Sequence, residues 1–328
     1  MYKVIMAPTE GSDSENTAIS VAVKLAQRFN AELRLVRVEA APIVRESVPR
    51  VPVLEITEET LRAERLARLR RLESLGVQCR ALGDVRVITA LEDGRVAPTL
   101  REYAEKYHVD LIVMSSHARG GVKRITLGSV TDYMIRHSNI PVLVVRRPAA
   151  FVAATAEETV ARIVVPLDGS RLAEQILPEV AAIASRLNAI VSLVQVLTPG
   201  TYSQKEIMQP GLPWWDEDIA AAEAYLERAS SIITEEGVSA GREVILATEV
   251  APAILEYATK VRADLIALAT NGSGGLGRFV FGTVADEVTR RSPVSVLAFH
   301  PRHPAGRRAG QSVPDRLPPI PISFPSGS

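Results

Sequence analysis

The chain contains the same sequence landmarks twice in the same order, and this duplication constrains its fold more than any other feature. Pro8–Ser12 returns 158 residues later as Pro166–Ser170. Three further pairs of segments lie 154 residues apart: 96–98 with 250–252, 110–112 with 264–266, and 128–130 with 282–284. A repeated unit of about 145 residues has the size of a whole domain and is far longer than a solenoid repeat. The sequence therefore predicts two copies of one domain.

The segments between and after the two copies differ from them in composition. Residues 149–160 are rich in Ala, Thr and Glu, and residues 301–328 are rich in Pro, Ser, Gly and Arg. The terminal segment lacks the apolar periodicity that a packed core requires, so we expect it to be disordered. We therefore predict one domain at residues 1–148, a linker at 149–160, a second domain at 161–300 and a Pro-rich tail.

Short apolar runs alternate with helical patterns in both copies. The runs predict five strands per copy: 4–6, 33–38, 85–88, 110–114 and 141–146, then 163–165, 191–196, 243–247, 264–269 and 293–299. Strands that are joined through helices pair in parallel, and the helices cover both faces of the sheet. The expected fold class is α/β, with two similar doubly wound domains that each contain a five-stranded, mostly parallel sheet.

Glycine and proline predict several helix ends. Gly76 and Gly237 follow long charged helical patterns, where a left-handed residue commonly ends a helix. Pro98 and Pro252 are each expected to open the third helix of their copy, since the missing N–H of proline costs nothing in a first turn.

Charge and cysteine content exclude several classes of protein. The 328 residues include 38 Lys+Arg and 38 Asp+Glu, so the excess of positive charge expected of a nucleic-acid binder is missing. No apolar run reaches the roughly 18 to 20 residues of a membrane span. The apolar run at the start of the sequence is too short for a secretory signal. The single cysteine, Cys79, excludes an internal disulfide, so we expect a reducing compartment, the cytoplasm, and no membrane partner.

The loops after strand 1 and strand 4 of each copy are the expected ligand-binding loops. In doubly wound sheets, ligands bind beyond the carboxyl ends of the strands, where the strand order reverses. The loop 269–283 is glycine-rich and precedes a helix, so its amides could bind an anion, and the Thr283 hydroxyl could reach a phosphate oxygen. Thr283 with Asp286, like Ser129 with Asp132, also has the spacing of a capping box, and both interpretations can hold at once.

One motif match is discounted. Residues 272–277 satisfy the G-x-G-x-x-G pattern of dinucleotide-binding folds. That pattern should follow the first strand of its domain and open a helix at once. Here it follows the fourth strand, and the helix is expected only near Gly282, so a nicotinamide site is improbable.

Together these landmarks resemble the universal stress protein family. Its nucleotide-binding members carry a glycine, two residues, a second glycine, nine residues and then Gly-Ser or Gly-Thr. The resemblance covers both copies nearly end to end and includes the Pro-x-Asp-Gly-Ser ending of the first strand. It implies a tandem universal stress protein that binds an adenine nucleotide, ATP, with or without Mg²⁺.

Carried over residue by residue, the resemblance favours a site in the second copy. Asp168 matches the acidic residue at the adenine end of the family's pocket, and Val196 matches an apolar wall residue. Ala269 stands at the first motif glycine, Gly272 at the second, and Gly282-Thr283 at the final pair. The full set that the resemblance implies is Pro166, Leu167, Asp168, Val196, Ala269, Asn271, Gly272, Gly282, Thr283 and Val284, in which Asn271 replaces the usual histidine.

The first copy departs further from the family pattern. Glu10 replaces the aspartate, Ser115 the first glycine and Ala118 the second, while Gly128-Ser129 remains. A side chain at Ala118 stands where close approach or a positive φ is needed, and the latter costs of order 1 kcal/mol. His117 occupies the usual histidine position, where a surface or capping role is the simpler interpretation. We expect a weak or absent nucleotide site in the first half.

No assembled catalytic set is visible in the sequence. A Walker-type phosphate loop, an H-E-x-x-H motif and a G-x-S-x-G elbow are all missing. Asp168 could position a water or a magnesium ion, but a recognition role is favoured. His300 and His303 suggest a metal only weakly, because they open the Pro-rich tail. Trp214-Trp215 could cover a ligand, although packing over helices is favoured.

Two functional hypotheses follow. The first is a nucleotide-binding regulatory protein that responds to stress and turns ATP over slowly, if at all. The alternative is an interaction module of the same fold that binds no nucleotide and pairs its domains through the fifth strands, 142–145 and 294–299, which would otherwise be exposed edges. A homodimer of the whole chain is also considered. A hydrolase of the wider adenine-nucleotide group is a third option, which turnover kinetics would have to support.

Overall fold

The architecture comes from a computed structural model that describes residues 2–10, 16–39, 58–116, 127–146, 161–198, 213–270 and 282–300. Within these residues the chain forms ten strands and nine helices. Among them, no helix combines the length and the apolar character needed to cross a bilayer.

The two halves repeat the same order of elements. The first half contains β1 Val4–Pro8, α1 Asn16–Phe29, β2 Glu32–Glu39, α2 Glu58–Leu82, β3 Val87–Asp93, α3 Val96–Lys106, β4 Leu111–Ser115, α4 Ser129–His137 and β5 Val142–Val145. The second half contains β6 Arg162–Pro166, α5 Arg171–Glu174, α6 Leu177–Leu187, β7 Ile190–Leu197, α7 Pro213–Thr234, β8 Ala240–Leu246, α8 Val250–Lys260, β9 Leu265–Ala269, α9 Thr283–Arg291 and β10 Ser295–Phe299.

All ten strands belong to one sheet in the order β3-β2-β1-β4-β5-β10-β9-β6-β7-β8. Pairing is parallel within each half, as predicted. The halves meet through β5 and β10, which pair antiparallel with Leu297 opposite Leu143. The predicted pairing of the fifth strands within the chain is therefore confirmed, and it joins the two five-stranded sheets into one.

The repeated Asp-Leu-Ile segments have a common structural role. The Asp110 carboxylate accepts hydrogen bonds from the amides of Lys3 (2.7 Å) and Val4 (2.9 Å) at the start of β1. The Asp264 carboxylate accepts from the amide of Arg162 (2.8 Å) at the start of β6. Partial burial raises the pKa of Asp264, while the Arg162 amide acts against that shift. Each aspartate thus ties the amino ends of two neighbouring strands together.

Side chains alternate between two apolar layers, one on each face of the sheet. One layer packs α1, α2, α6 and α7 against residues such as Ile5, Leu143 and Leu297. The other packs α3, α4, α8 and α9 against residues such as Ile112 and Val296. Both layers run across the boundary between the halves, so the described residues form a three-layer α/β structure.

Several predicted boundaries were wrong. Helix α2 continues through Gly76 to Leu82, and α3 and α8 begin at Val96 and Val250, two residues before their prolines. The third strands overlap the predicted ranges but have shifted bounds, at 87–93 and 240–246. Gly237, by contrast, follows α7 with φ +74°, as expected of a left-handed residue after a helix.

Candidate functional site

The strand order reverses between β1 and β4 in the first half and between β6 and β9 in the second. Ligands of doubly wound folds bind beyond the strand ends at such reversals. In the second half, Pro166 ends β6 opposite Val194, and Val164 pairs with Ile266. By this register, Asp168 just after β6 lies at the same carboxyl edge of the sheet as Val196 near the end of β7 and Ala269 at the end of β9. The structure thus brings these predicted site residues to one place.

The loop after β6 is a tight turn that presents the carboxylate of Asp168. The amide of buried Leu167 donates to the carbonyl of Val194 (2.8 Å), which anchors the loop. Asp168 is exposed, and its Oδ1 accepts from the amide of Ser170 (2.9 Å). Gly169 has φ +84°, a conformation that side chains disfavour. The repeated Asp-Gly-Ser segment therefore has a defined local role, because Ser170 also caps α5 through the amide of Ala173 (3.1 Å).

Two buried polar atoms lie beneath this turn, and sequence reasoning missed both. Gln195 Oε1 and the Tyr225 hydroxyl have no hydrogen-bond partner among the described residues. Gln195 comes from β7 and Tyr225 from α7. A side chain added at Gly169 would contact Gln195 Nε2 at 3.6 Å, so the glutamine amide lies directly against the turn. No local sequence pattern could have revealed this arrangement, because Gln195, Tyr225 and the turn above them belong to three separate parts of the chain.

The Tyr225 hydroxyl lies beside acidic groups. Burial raises the pKa of Tyr225 well above its ordinary value, and the negative charges of Glu174 and Asp168 raise it further. The hydroxyl is close to the Glu174 carboxylate and the Gly169 amide, but neither contact has the geometry of a hydrogen bond. The tyrosine therefore stays protonated and neutral at physiological pH.

The end of β9 is tied to both the fifth strand and the next helix. Ala269 is half-buried at the strand end, and Thr270 after it is fully buried. The Thr270 amide donates to Phe299 O (2.8 Å), and its carbonyl accepts from the amide of Gly282 (2.8 Å). The Thr270 hydroxyl pairs with Nδ1 of His300 (3.0 Å). His300 is therefore a structural partner of this edge, and no group of three metal-ligating side chains occurs among the described residues.

The amino end of α9 offers an exposed hydroxyl and amides that have no acceptor among the described residues. Thr283 is the first helical residue and is exposed, and Val284 is 37% exposed. The first intrahelical bond runs from the amide of Asp286 to Gly282 O (2.9 Å), so the amides of residues 283–285 have no acceptor within the helix. A helix amino end of this kind favours an anion.

The amide of Gly282 donates to the carbonyl of Thr270 and so ties this helix end to β9. The predicted capping boxes of α4 and α9 were wrong. Neither α4 nor α9 has a side-chain cap, because Gly128 and Gly282 occupy the cap positions and Ser129 and Thr283 are helical. The Asp132 and Asp286 carboxylates bind arginines instead.

Parts of the predicted set lie outside the described residues. These are Asn271 and Gly272, together with His117, Ala118, His303, the linker 149–160 and the tail 301–328. Trp214 and Trp215 belong to the first turn of α7, and their side chains are also outside the described part. Val196 is half-buried and packs against the apolar layer beneath α8, which agrees with an apolar wall.

The carboxyl ends of the strands in the first half form an equivalent edge with different side-chain contacts. The Ser116 amide donates to Val145 O (3.2 Å), as Thr270 does to Phe299, but the Ser115 carbonyl accepts from the Thr131 hydroxyl (3.1 Å). Glu10 takes the place of Asp168 and already has an interaction partner. Ser129 is exposed at the start of α4. Both halves therefore have the same backbone arrangement at this edge of the sheet, but the side chains at the edge differ between them.

A groove of about 780 Å³ lies elsewhere, between α7 and the edge strand β8. Its lining combines apolar side chains (Ile219, Leu226 and Leu246) with charged ones (Glu223, Glu227, Arg242 and Glu243), and Arg242 pairs with Glu227. Strand β8 is two strands from the β6–β9 reversal. The groove is therefore separate from the candidate site.

Comparison with known proteins identifies relatives of both halves. The model of the universal stress protein family matches residues 1–146 and 159–300. A universal stress protein of Methanocaldococcus jannaschii is 34% identical over 149 residues, which cover 45% of this chain and 84% of that protein.

Solved structures agree with the fold. A universal stress protein from Archaeoglobus fulgidus has a TM-score of 0.63 at 16% identity, and the match covers 91% of this chain and 96% of that one. At this identity the likeness shows the fold alone. A universal stress protein from Archaeoglobus fulgidus in complex with dAMP covers 43% of this chain and 97% of its own, with 24% identity and a TM-score of 0.33.

Proposed function

The chain belongs to the universal stress protein family, with one domain of the family in each half, and from this membership we propose that it is an ATP-binding regulatory protein of the stress response. The nucleotide binds mainly in the second half, and its binding biases the conformation or the partner choice of the chain. The observation that carries the proposal is the meeting of the Asp168 turn and the amino end of α9 at one strand reversal.

The groups at this edge fit the two ends of an adenine nucleotide. The exposed Asp168 carboxylate only accepts hydrogen bonds, so it suits an amino group such as that of adenine. The amides of residues 283–285, which have no acceptor among the described residues, and the Thr283 hydroxyl suit the phosphates. Val196 and Ala269 supply apolar surface between these ends. A bound Mg²⁺ would be held chiefly by the phosphates and water, as is usual for nucleotide sites.

We propose binding without rapid turnover. A nucleophile must be exposed to its substrate and activated by a base. The Thr270 hydroxyl does bond to His300, but Thr270 is fully buried, so this pair is structural. ATP should therefore remain intact over many binding cycles. Phosphate release faster than about one turnover per second, the lower end of ordinary enzyme rates, would contradict this part of the proposal.

We further propose that the protein works in the cytoplasm, alone or as a homodimer. The support for this location is the single Cys79, a buried free thiol that burial makes a weaker acid by raising its pKa. The balanced charge argues against nucleic acid as a partner.

Isothermal titration calorimetry with ATP and Mg²⁺ tests the proposal on protein stripped of bound nucleotide. We expect saturable binding with about one site per chain, and a Gly272→Leu variant should lose it while remaining folded. Ala118→Leu is the matched control in the first half and should leave binding unchanged. Lack of saturation at millimolar ATP would refute nucleotide binding.

The second candidate function is an interaction module that binds no nucleotide. It is favoured by the β5–β10 pairing, which closes two apolar edges without any ligand. This candidate predicts that purified chain contains no nucleotide, measured by chromatography after denaturation, and that Gly272→Leu changes no property of the protein.

A further inference from the structure

Two carboxylates and two guanidinium groups form a closed ring of ion pairs between α4 and α9. Within each helix, Arg136 Nε lies 2.9 Å from Asp132 Oδ2 and Arg290 Nε lies 2.9 Å from Asp286 Oδ2. Across the two halves, Arg136 Nη2 lies 2.6 Å from Asp286 Oδ1 and Arg290 Nη2 lies 2.7 Å from Asp132 Oδ1. Each carboxylate therefore binds one arginine from its own half and one from the other half.

The ring includes the first turn of the helix at the proposed phosphate end. Asp286 lies three residues after Thr283, in the first turn of α9. Arg136 belongs to the last turn of α4, so it brings a positive charge from the first half to this turn. The four side chains are 28–41% exposed, so they are partly shielded from solvent.

An unneutralised Asp286 would oppose a phosphate at the same helix end. A carboxylate near an anionic ligand repels it through space, and partial burial reduces the screening of that repulsion. With Arg136 and Arg290 both bound, the ring is neutral. Without Arg136 it carries one net negative charge, and Asp286 loses the partner that fixes its Oδ1. Both changes act on the first turn of α9.

We propose that Arg136, in the first half, is a positioning residue for the phosphate end of the nucleotide site in the second half. It holds the first turn of α9 in place and neutralises Asp286 without touching the nucleotide. This assignment rests on the proposed function. It gives the first domain, whose own nucleotide motif is degenerate, a part in binding by the second.

Titration of the full chain with ATP and with adenosine tests the assignment. Arg136→Ala should weaken ATP binding about fivefold, the effect of one added charge roughly 10 Å away in a medium of intermediate dielectric constant. Adenosine carries no phosphate, so its affinity should stay within about twofold of the wild-type value. Arg68→Ala is the control, because Arg68 lies on α2 in the first half, where it pairs with Glu64 and Glu39, and it should change neither affinity.

A second variant separates charge from structural damage. Arg136→Ala combined with Asp286→Asn restores a neutral ring, so ATP affinity should return to within about twofold of the wild-type value. Arg136→Lys keeps the charge and should retain most of the affinity, although it loses the two-pronged geometry of arginine.

The outcomes are distinguishable. Unchanged ATP affinity in Arg136→Ala, an equal loss for adenosine, or a double variant weaker than the single one would each overturn the positioning role while leaving the proposed function intact. A wild-type chain that binds neither ligand would overturn the proposed function and this inference with it.

Discussion

At the residue scale, the two halves differ at equivalent positions on an edge of the same architecture. Asp168 in the second half corresponds to Glu10 in the first, and His300 corresponds to Arg146. His300 bonds to Thr270 within its own half. Arg146 instead donates across the boundary to the carbonyls of Thr289 and Arg290 at the end of α9. Burial lowers the pKa of Arg146 to about 10, which leaves the group charged at neutral pH.

Asp168→Asn should weaken ATP binding at least about tenfold, since a hydrogen bond to a charged group contributes about 1.5–3 kcal/mol. The substitution keeps an oxygen that can accept from the Ser170 amide, so the turn and the melting temperature should not change. Calorimetric titration measures the affinity. Glu10→Gln in the first half is the control and should have no effect. Equal losses in both variants would show that nucleotide binding does not favour the second half.

Tyr225→Phe should raise the free energy of unfolding by about 1 kcal/mol at neutral pH, because it removes a buried hydroxyl that has no partner among the described residues. The pH dependence should change too. The folded chain holds the tyrosine proton more tightly than the unfolded chain, so wild-type stability should fall as the pH rises above about 10. The variant should fall less steeply, although Tyr2, whose pKa is also raised by burial, keeps part of the slope.

Urea unfolding at pH 7 and at several values above 10 measures both effects. A variant less stable than the wild type at pH 7 would mean that the hydroxyl has a partner after all, and identical alkaline slopes would contradict the assigned pKa direction. Arg146, whose pKa burial lowers to about 10, titrates in the same range in both proteins. The difference between the two slopes, rather than either slope alone, therefore reports on Tyr225.

At the element scale, strands were easier to predict than helix ends. Apolar runs such as 110–114 and the Asp168 turn are local signals, and the observed β4 and β6 lie where they were expected. The capping-box prediction failed because Gly128 and Gly282 occupy the cap positions. Asp132 and Asp286 each bind one arginine four residues on and a second one 158 or 150 residues away in the chain. The second arginine, like the buried polar atoms of Gln195 and Tyr225, could not be predicted from local sequence. Spacing along one segment says nothing about groups that only folding brings together.

The fifth strands should be the most sensitive elements of the interface between the halves. Leu297 in β10 is fully buried and faces Leu143 in β5. Leu297→Ala should lower the free energy of unfolding by about 2–5 kcal/mol, the usual range for a leucine removed from a core. Leu66→Ala on α2 is the control, because Leu66 is 53% exposed, and it should cost less than about 0.5 kcal/mol. Similar losses in both variants, measured by denaturant unfolding, would argue against a packed β5–β10 junction.

At the scale of the whole molecule, one chain contains both domains, and their sheets are joined through β5 and β10. The relative from Methanocaldococcus jannaschii aligns over 149 residues, less than half of this chain. The antiparallel β5–β10 pairing and the ring of ion pairs lie on the approximate symmetry axis that relates the halves. Because these strands pair with each other, a homodimer of the full chain would need a different surface. The linker and domain boundaries stay predictions, as does the homodimer.

This arrangement predicts what happens when the halves are separated. A chain of residues 159–300 exposes the edge of β10, and unpaired edge strands readily pair with a second copy. The ring can re-form in such a dimer, because Asp286 and Arg290 occupy the positions of Asp132 and Arg136, and each copy then supplies one pair. We therefore expect this half to be a dimer by light scattering at micromolar concentration. Val296→Lys places a charge in β10 opposite β5, where Val296 is fully buried, and should give monomers. A wild-type half that stays monomeric would mean that the linker, rather than the strand edges, holds the two domains together.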